Sequence, residues 1–388
     1  MCRGGNAPRE NWVAGEDAYL EAQEGKPMGR WARVTGVLAA GIVAFALATG
    51  PAPSEEKLKV GFVYVGPVGD AGWTYAHDQG RKYLEAHNPN VQTAAVENVA
   101  EGADSERVFT DLARKGYGLI VGTSFGDMDA MVKVAGEFPK VAFVHISGFK
   151  RAKNLMTAFG RIEQPRYLTG LVAGVMTKTH IIGYVAAHPI PEVVRGINAF
   201  TLGVRATDPK ATVHVVWSNT WYDPAQEEQA AESLLSIGAD VLTQHQDSPA
   251  VVQAAAAKGK YAIGYNSDMS KFGPKAFLTA AVWNWGPMYT LIVKQVEGGS
   301  FKGDDIWWGM DEGVVDIAPL GPMVPASVRS LVMAKRQAII AGTFNELAGP
   351  IKDQSGTVRV PAGSALSDSA QLSMNWFVQG VVGQVPSK

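Results

Sequence analysis

The stretch GLIVGTSFGDMDAMVKVAGEFP, Gly118 to Pro139, decides the fold. GLIVGT reads as a short buried strand and DMDAMVKVAGEF as an amphipathic helix, with glycines at the turn between them. The turn carries Gly122-Thr-Ser-Phe-Gly126, a G-x-S-x-G pattern in the strand–turn–helix setting that a hydrolase nucleophile elbow requires. A parallel α/β sheet without any catalysis uses the same construction to carry a ligand loop at the carboxyl end of a strand. Ser124 is therefore either a nucleophile or a hydroxyl facing a ligand, and the rest of the chain must arbitrate.

Outward from this unit the pattern repeats. The apolar runs KVGFVYV, VQTAAVENV, GLIVGT, VAFVHISG and NLMTAFG alternate with helical segments over Tyr75–Ala86, Asp104–Lys115 and Asp127–Phe138, which is the β-α-β-α order of a parallel sheet. After Gln164 the alternation restarts with a helix over RYLTGLVAGVMTK. IIGYVAA, helix Pro191–Thr207, TVHVVWSN, helix Pro224–Ile237, VLTQH, helix Ser248–Lys258, YAIGYN and FLTAAVWN follow in order. A helix over Met288–Glu297, a strand GVVDIAP and a helix over Pro325–Ala341 complete the reading. Two α/β lobes of the same kind are expected, one from residues 58–160 with 285–312, the other from 161–284 with 313–388. No Gly/Ser-rich or Pro-rich linker separates them, so short crossovers join lobes whose strand ends face a common ligand cleft.

Composition sets the class. The 388 residues, 46% hydrophobic and 19% charged, suffice for two substantial cores. A formal charge of −2 leaves no basic excess to neutralise a phosphate backbone, which argues against a nucleic-acid polymer as partner. Arg30 and Arg33 precede the uncharged run VTGVLAAGIVAFALAT, which ends in Ala46-Leu47-Ala48. That run is short for a bilayer span and ends in a small-residue cleavage site, so residues 28–48 read as a cleavable secretory signal peptide. Residues 1–27 read as a dispensable leader or an over-extended start, since Met28 itself opens a good signal. The single cysteine, Cys2, lies ahead of the signal and none follows the apolar run. The mature chain is thus expected to be a periplasmic protein, neither a lipoprotein nor disulfide-stabilised.

The segments GWTYAHDQGRKYLE, VENVAEGADSERV, TSFGDMDAMVKVA, GYVAAHPIPEVVRGINAFTLG, WSNTWYDPAQE, TQHQDSPA and NWGPMY, with the tail GPIKDQSGTVRVPAG and LSMNWFVQG, resemble the basic-membrane-protein family of solute-binding proteins for ABC transporters, also called purine-nucleoside-receptor-like. The resemblance runs from about Leu58 to the carboxyl terminus. It implies α/β architecture of the type I periplasmic-binding-protein fold, with two three-layer parallel-sheet lobes closing on a ligand. It further implies delivery of a purine nucleoside or related compound to an inner-membrane permease, by a protein expected to be monomeric. A periplasmic sensory module would share the same ligand chemistry.

The residues supply a candidate site that fits. In GPVGDAGWTYAHDQG, Trp73 and Thr74 stand where a helix begins after the first strand. In WSNTWYDP, Trp221 occupies a corresponding loop, and two opposed indoles can sandwich a planar heterocycle at roughly 1–3 kcal/mol per stacked base. Trp283 is a third aromatic at a strand end. Ser124, Phe125, Asp247, Asn266, Asp268 and Asn284 each follow a strand and offer groups to read a ring edge. Asp247 also suits a helix cap and Asp268 a turn.

Other chemistries find little support. Gly66, Gly69 and Gly72 do not form G-x-G-x-x-G, and no P-loop occurs, so no nucleotide cofactor is expected. The seven histidines show no metal-ligand spacing, and a structural role is the reading for each. Nothing resembling an HGGG oxyanion element accompanies Ser124, which leaves an exported serine hydrolase as a minor alternative and no catalytic residue assigned. Nucleoside-binding members of the family typically hold the ribose with an aspartate and a lysine. Asp268 is the counterpart of that aspartate, but TAAVWNWGPMY offers Trp283, Asn284 and Trp285 where the lysine is expected, and no lysine follows until Lys294. A smaller cleft that prefers a free purine base such as adenine is the resulting expectation.

Overall fold

The computed structural model describes residues 56–386; the expected leader and signal peptide lie outside the described residues. Strands β1 (Leu58–Val63), β2 (Val91–Val96), β3 (Leu119–Gly122), β4 (Ala142–Ile146) and β5 (Leu155–Gly160) alternate with helices α1 (Trp73–His87), α2 (Ala103–Arg114) and α3 (Met128–Glu137). Helix α4 (Glu163–Met176) opens a second series: β6 (Ile181–Ala186), α5 (Pro191–Thr207), β7 (Thr212–Trp217), α6 (Pro224–Ser236), β8 (Val241–His245), α7 (Ala250–Ala257), β9 (Tyr261–Asn266) and β10 (Phe277–Trp283). Then come α8 (Gly286–Glu297), β11 (Asp305–Trp308), β12 (Val315–Ile317) and α9 (Ala326–Ile340). A tail carries β13 (Ile351–Lys352), β14 (Val358–Val360), α10 (Asp368–Leu372) and β15 (Val381–Val382).

The strands sort into two sheets. One has the order β11-β5-β4-β3-β1-β2, and all its pairings are parallel. The other has the order β12-β10-β9-β8-β6-β7-β15, parallel except where β12 runs antiparallel to β10. The central strands are buried along their whole length, as β3, β4, β5 and β8 show, because helices cover both faces. That double burial explains why these strands read as continuous apolar runs in the sequence.

Helices α4 and α5 pack unusually close. A side chain at Gly170 would strike the Phe200 carbonyl, and one at Gly203 the Tyr167 carbonyl, so the glycines let the two backbones meet. Around them lies the largest core, which includes Leu168, Leu171, Val172, Ile197, Phe200 and Val204.

The short elements β11, β13, β14, α10 and β15 are additions to the sequence reading, which ended the chain at its last long helix. Strand β15 extends the edge of the second sheet beside β7, with Val381 opposite Val213. Gln354 Nε2 donates to the Val381 and Gly383 carbonyls at 2.9 Å each. Trp217 Nε1 donates to the Gln384 carbonyl at 2.9 Å, so the tail is fastened on both sides of the strand.

Candidate functional site

The loops that follow β1, β3, β4, β6, β7 and β8 converge on a cavity between the two sheets. Val65, Trp73, Thr123, Ser124, Phe125 and Ser147 line it from the first sheet, and Glu192, Trp221, His245, Asp247 and Tyr265 from the second. It holds about 340 Å³ of unfilled space counted out to its solvent-facing mouth.

Trp73 is fixed from two directions. Its indole N–H donates to the Thr123 carbonyl at 2.8 Å, and Thr123 Oγ1 donates in turn to the Val63 carbonyl at 2.9 Å. Behind it Trp283 and Trp285 stack at 4.7 Å and 16°, and both meet Trp73 edge-on, at 5.4 and 5.6 Å. His77 and Tyr289 extend the stack from Trp285. Edge-to-face packing of this kind orients a ring as well as burying it.

Ser124 follows β3 as the sequence suggests, but its surroundings are not those of a nucleophile. Its hydroxyl donates to the Glu101 carboxylate, which also accepts from the Gly126 N–H at 3.0 Å. His145 has Nε2 2.8 Å from the Ser124 carbonyl oxygen, so its imidazole bonds the main chain rather than the hydroxyl. Burial lowers the His145 pKa to about 4. Phe125 stands beside Ser124, with Phe149 at 6.4 Å towards solvent.

On the opposite wall, Asp247 is 5% exposed and is held from behind. Asn266 Nδ2 donates to Asp247 Oδ1 at 3.2 Å, and Trp283 Nε1 donates to Asn266 Oδ1 at 2.9 Å. The Asp247 N–H donates to the Trp221 carbonyl at 3.1 Å, which ties the loop of the aromatic to that of the acid. Asn266 adopts φ 69°, a left-handed conformation that asparagine tolerates better than most residues.

Of the ten residues singled out from sequence, Trp73, Ser124, Phe125, Trp221 and Asp247 line the cavity. Asn266 and Trp283 sit one layer back, where they hold Asp247 and Trp73. The other three lie elsewhere. Thr74 is fully buried in α1, one position past the lining residue, because successive helix positions face different directions. Asp268 is exposed and accepts the Ser270 N–H at 2.9 Å, the turn role open to it from sequence. Asn284 is exposed and donates to the Gly313 carbonyl at 3.2 Å.

Sequence reasoning missed Glu192, His245, Tyr265, Ser147, Thr123 and Val65. Glu192 occupies the first turn of α5, where an acid reads simply as a partner of the helix dipole. Burial outweighs that dipole and raises its pKa to about 7, opposed by Arg195 and by a hydrogen bond with Ser147. His245, the last residue of β8, lies with Nε2 3.5 Å from Glu192 Oε1. Burial, with Arg166 and Arg195 nearby, pushes its pKa well below the ordinary imidazole range, so the ring is neutral. Loops after strands were already the rule for choosing candidates. Applied to HPIPE and HISG, it would have found Glu192 and Ser147.

Contacts cross the cleft. Ser147 bonds Glu192, Ser267 Oγ donates to the Ala71 carbonyl, and a side chain at Gly72 would lie 2.0 Å from the Asp247 carbonyl oxygen. The two walls are therefore closed upon each other. Among the described residues the lining offers two carboxyl groups, Glu192 and Asp247, and includes no lysine or arginine.

A family model described as ABC transporter substrate-binding protein PnrA-like matches residues 57–345. A purine-binding protein of Brucella abortus (strain 2308) is 47% identical over 338 residues, which is 87% of this chain and 96% of that protein. A putative ABC transporter glucose-binding protein of Haloferax volcanii is 39% identical, over 87% of this chain and 84% of its own length. Among solved structures, an ABC transporter solute-binding protein of Aeropyrum pernix K1 aligns with a TM-score of 0.65 at 18% identity, covering 81% of this chain and 95% of that one. One of Conexibacter woesei aligns at 0.62 and 22% identity, over 74% and 98%. The architecture is the type I periplasmic-binding fold.

Proposed function

Because the chain belongs to the PnrA-like family of ABC transporter substrate-binding proteins, which bind and do not catalyse, we propose that its cleft carries a purine, and a free nucleobase in preference to a nucleoside. The observation that carries this reading is the character of the lining. Among the described residues, two carboxyl groups and no lysine or arginine face a narrow space between the Trp73 and Trp221 indoles. Carboxylates accept hydrogen bonds, so the cleft suits a flat ligand whose edge carries N–H donors. A free purine base has a ring N–H where a nucleoside carries its sugar. Trp283 and Trp285 stand in the sequence where the family's ribose-binding lysine is expected; they stack behind Trp73, outside the lining, and supply no cation to hold a sugar. The name of the Brucella relative supports the purine class.

In this reading residues 58–160 with 285–312 form one lobe and 161–284 with 313–388 the other. They swing together on the ligand, and the closed form docks on the inner-membrane permease, which makes delivery conditional on loading. Export by cleavage within residues 28–48 to the periplasm, no lipid anchor and a monomeric state complete the proposal.

Titration calorimetry with adenine, guanine, hypoxanthine, adenosine, guanosine and glucose tests it. A base should bind at least tenfold tighter than its nucleoside, a difference of about 1.4 kcal/mol. A clear preference for nucleosides would sink the size argument, and binding of glucose alone would sink the purine class.

A further inference from the structure

Behind the cavity wall three buried polar atoms from three different elements point at one spot. Arg166 Nε on α4, Tyr184 OH on β6 and His245 Nδ1 on β8 have no hydrogen-bond partner among the described residues. An atom placed where Gly196 of α5 would carry a side chain lies 3.7 Å from each of them, and nothing outside the local backbone comes closer. All three residues are at most 2% exposed. The guanidinium of Arg166 is anchored by Nη1, which donates to the Gln244 carbonyl at 2.9 Å, and it lies 3.8 Å over the ring of Tyr265. The missing side chain of Gly196 thus leaves a small polar chamber directly behind His245.

The hydrogen-bond requirements of the chamber identify its occupant. His245 Nε2 faces Glu192 Oε1 at 3.5 Å, and against the ionised carboxylate, which only accepts, the single proton of the neutral ring belongs on Nε2, so that above the Glu192 pKa Nδ1 presents a lone pair to the chamber. Arg166 Nε–H can only donate. One wall therefore needs a donor and another an acceptor, whereas Tyr184 can be either. An anion accepts only and would strand His245 Nδ1; a cation donates only and would strand Arg166 Nε. We propose that the chamber beside Gly196 holds one structural water, which accepts from Arg166, donates to His245 and thereby fixes the His245 tautomer that turns an N–H towards Glu192 and the ligand cleft. Buried waters typically make about three such bonds. Gly196 acts here as a positioning residue, its role being to leave the room.

The tautomer can be read without any ligand, by ¹⁵N NMR of the His245 ring in the unliganded protein. The wild type should show a protonated Nε2 and a bare Nδ1. Gly196→Ala should fold, since the added methyl meets only ordinary contacts at 3.7 Å and alanine favours a helix, but it displaces the water and should mix the two tautomers. Gly196→Ser supplies a hydroxyl that both donates and accepts, and should restore the wild-type ring. Adenine affinity, which rests on the proposed function, should fall about tenfold in the alanine variant and recover in the serine one. Identical tautomers in the wild type and Gly196→Ala would overturn the proposal, and so would an anomalous bromide peak in the chamber of a soaked crystal. If adenine fails to bind while the tautomers behave as described, the purine reading falls and the water stands.

Discussion

The two walls of the cleft come from sheets of the same construction, yet they divide the work. The first wall, Val65, Trp73, Thr123, Ser124, Phe125 and Ser147, holds no ionisable side chain. The second holds the acids Glu192 and Asp247, the imidazole of His245 and the phenol of Tyr265. Rigidity is divided as well. Trp73 is 8% exposed and wedged edge-on against an aromatic stack, whereas Trp221 is half-buried, with the ring of His188 at 4.8 Å. A neutral, fixed wall suits stacking, which needs area and orientation. A charged, buried wall suits reading the edge of a ring, where each misplaced donor leaves a carboxyl group unsatisfied.

The sharpest break in this comparison is between the two indoles. Trp73→Ala removes a buried ring from a packed cluster and should cost roughly 3–5 kcal/mol of stability, visible in denaturant melts. Trp221→Ala should leave stability near wild type and cost about 1–3 kcal/mol of purine binding by calorimetry. Equal melting behaviour of the two variants would erase the distinction between the walls.

Next in size is closure itself. Gly72→Ala places a methyl against the Asp247 carbonyl and should hold the walls apart, with at least a hundredfold loss of affinity, about 2.7 kcal/mol. Small-angle scattering should then detect no compaction on adding ligand. Binding within threefold of wild type would show that the approach of these loops is incidental.

A smaller effect separates the walls by pH. The Glu192 pKa is raised to about 7, so between the ordinary carboxyl range and that value the folded protein holds a proton that the unfolded chain has released. Its contribution to stability is present below the unfolded pKa and is lost as pH rises through about 7. Ligand N–H donors favour the ionised form, so affinity should move the opposite way and tighten severalfold from pH 6 to 8. Glu192→Gln should flatten that profile, and an unchanged slope would remove Glu192 from the charged wall. The smallest effect belongs to Asp268, which lies on neither wall. Asp268→Asn should change affinity less than twofold, and a loss above fivefold would bring this exposed turn residue into the site.

Much of this was legible in the sequence for a physical reason. Strands buried on both faces must be apolar throughout, and parallel strands need long crossovers, so runs and helices alternate without ambiguity. The helix read over Pro191–Thr207 occupies those residues. Strand β11 has only four residues and β15 two, too few for a pattern, and both exist because a neighbouring edge offers pairing. In the site, Trp73 and Trp221 were visible because a large aromatic in a polar loop stands out. Glu192, His245 and Tyr265 were not, because an acid at a helix start and residues ending a strand have ordinary local explanations. Asn266 and Trp283 read as ligand contacts, but a residue at a strand end can face the cavity or brace the residue that does, and only three-dimensional packing decides which.

Strand β15 bears on a different property, the protein's behaviour among its own copies. The outer edge of β7 would present a row of unpaired amides and carbonyls, the kind of surface on which another chain can add a strand. The far end of the polypeptide covers it with two paired residues, secured by Gln354 and Trp217. A two-residue strand is itself too short to template further growth. The tail, remote from the ligand cleft, therefore occupies the first part of an edge that would otherwise be open to a strand from another copy.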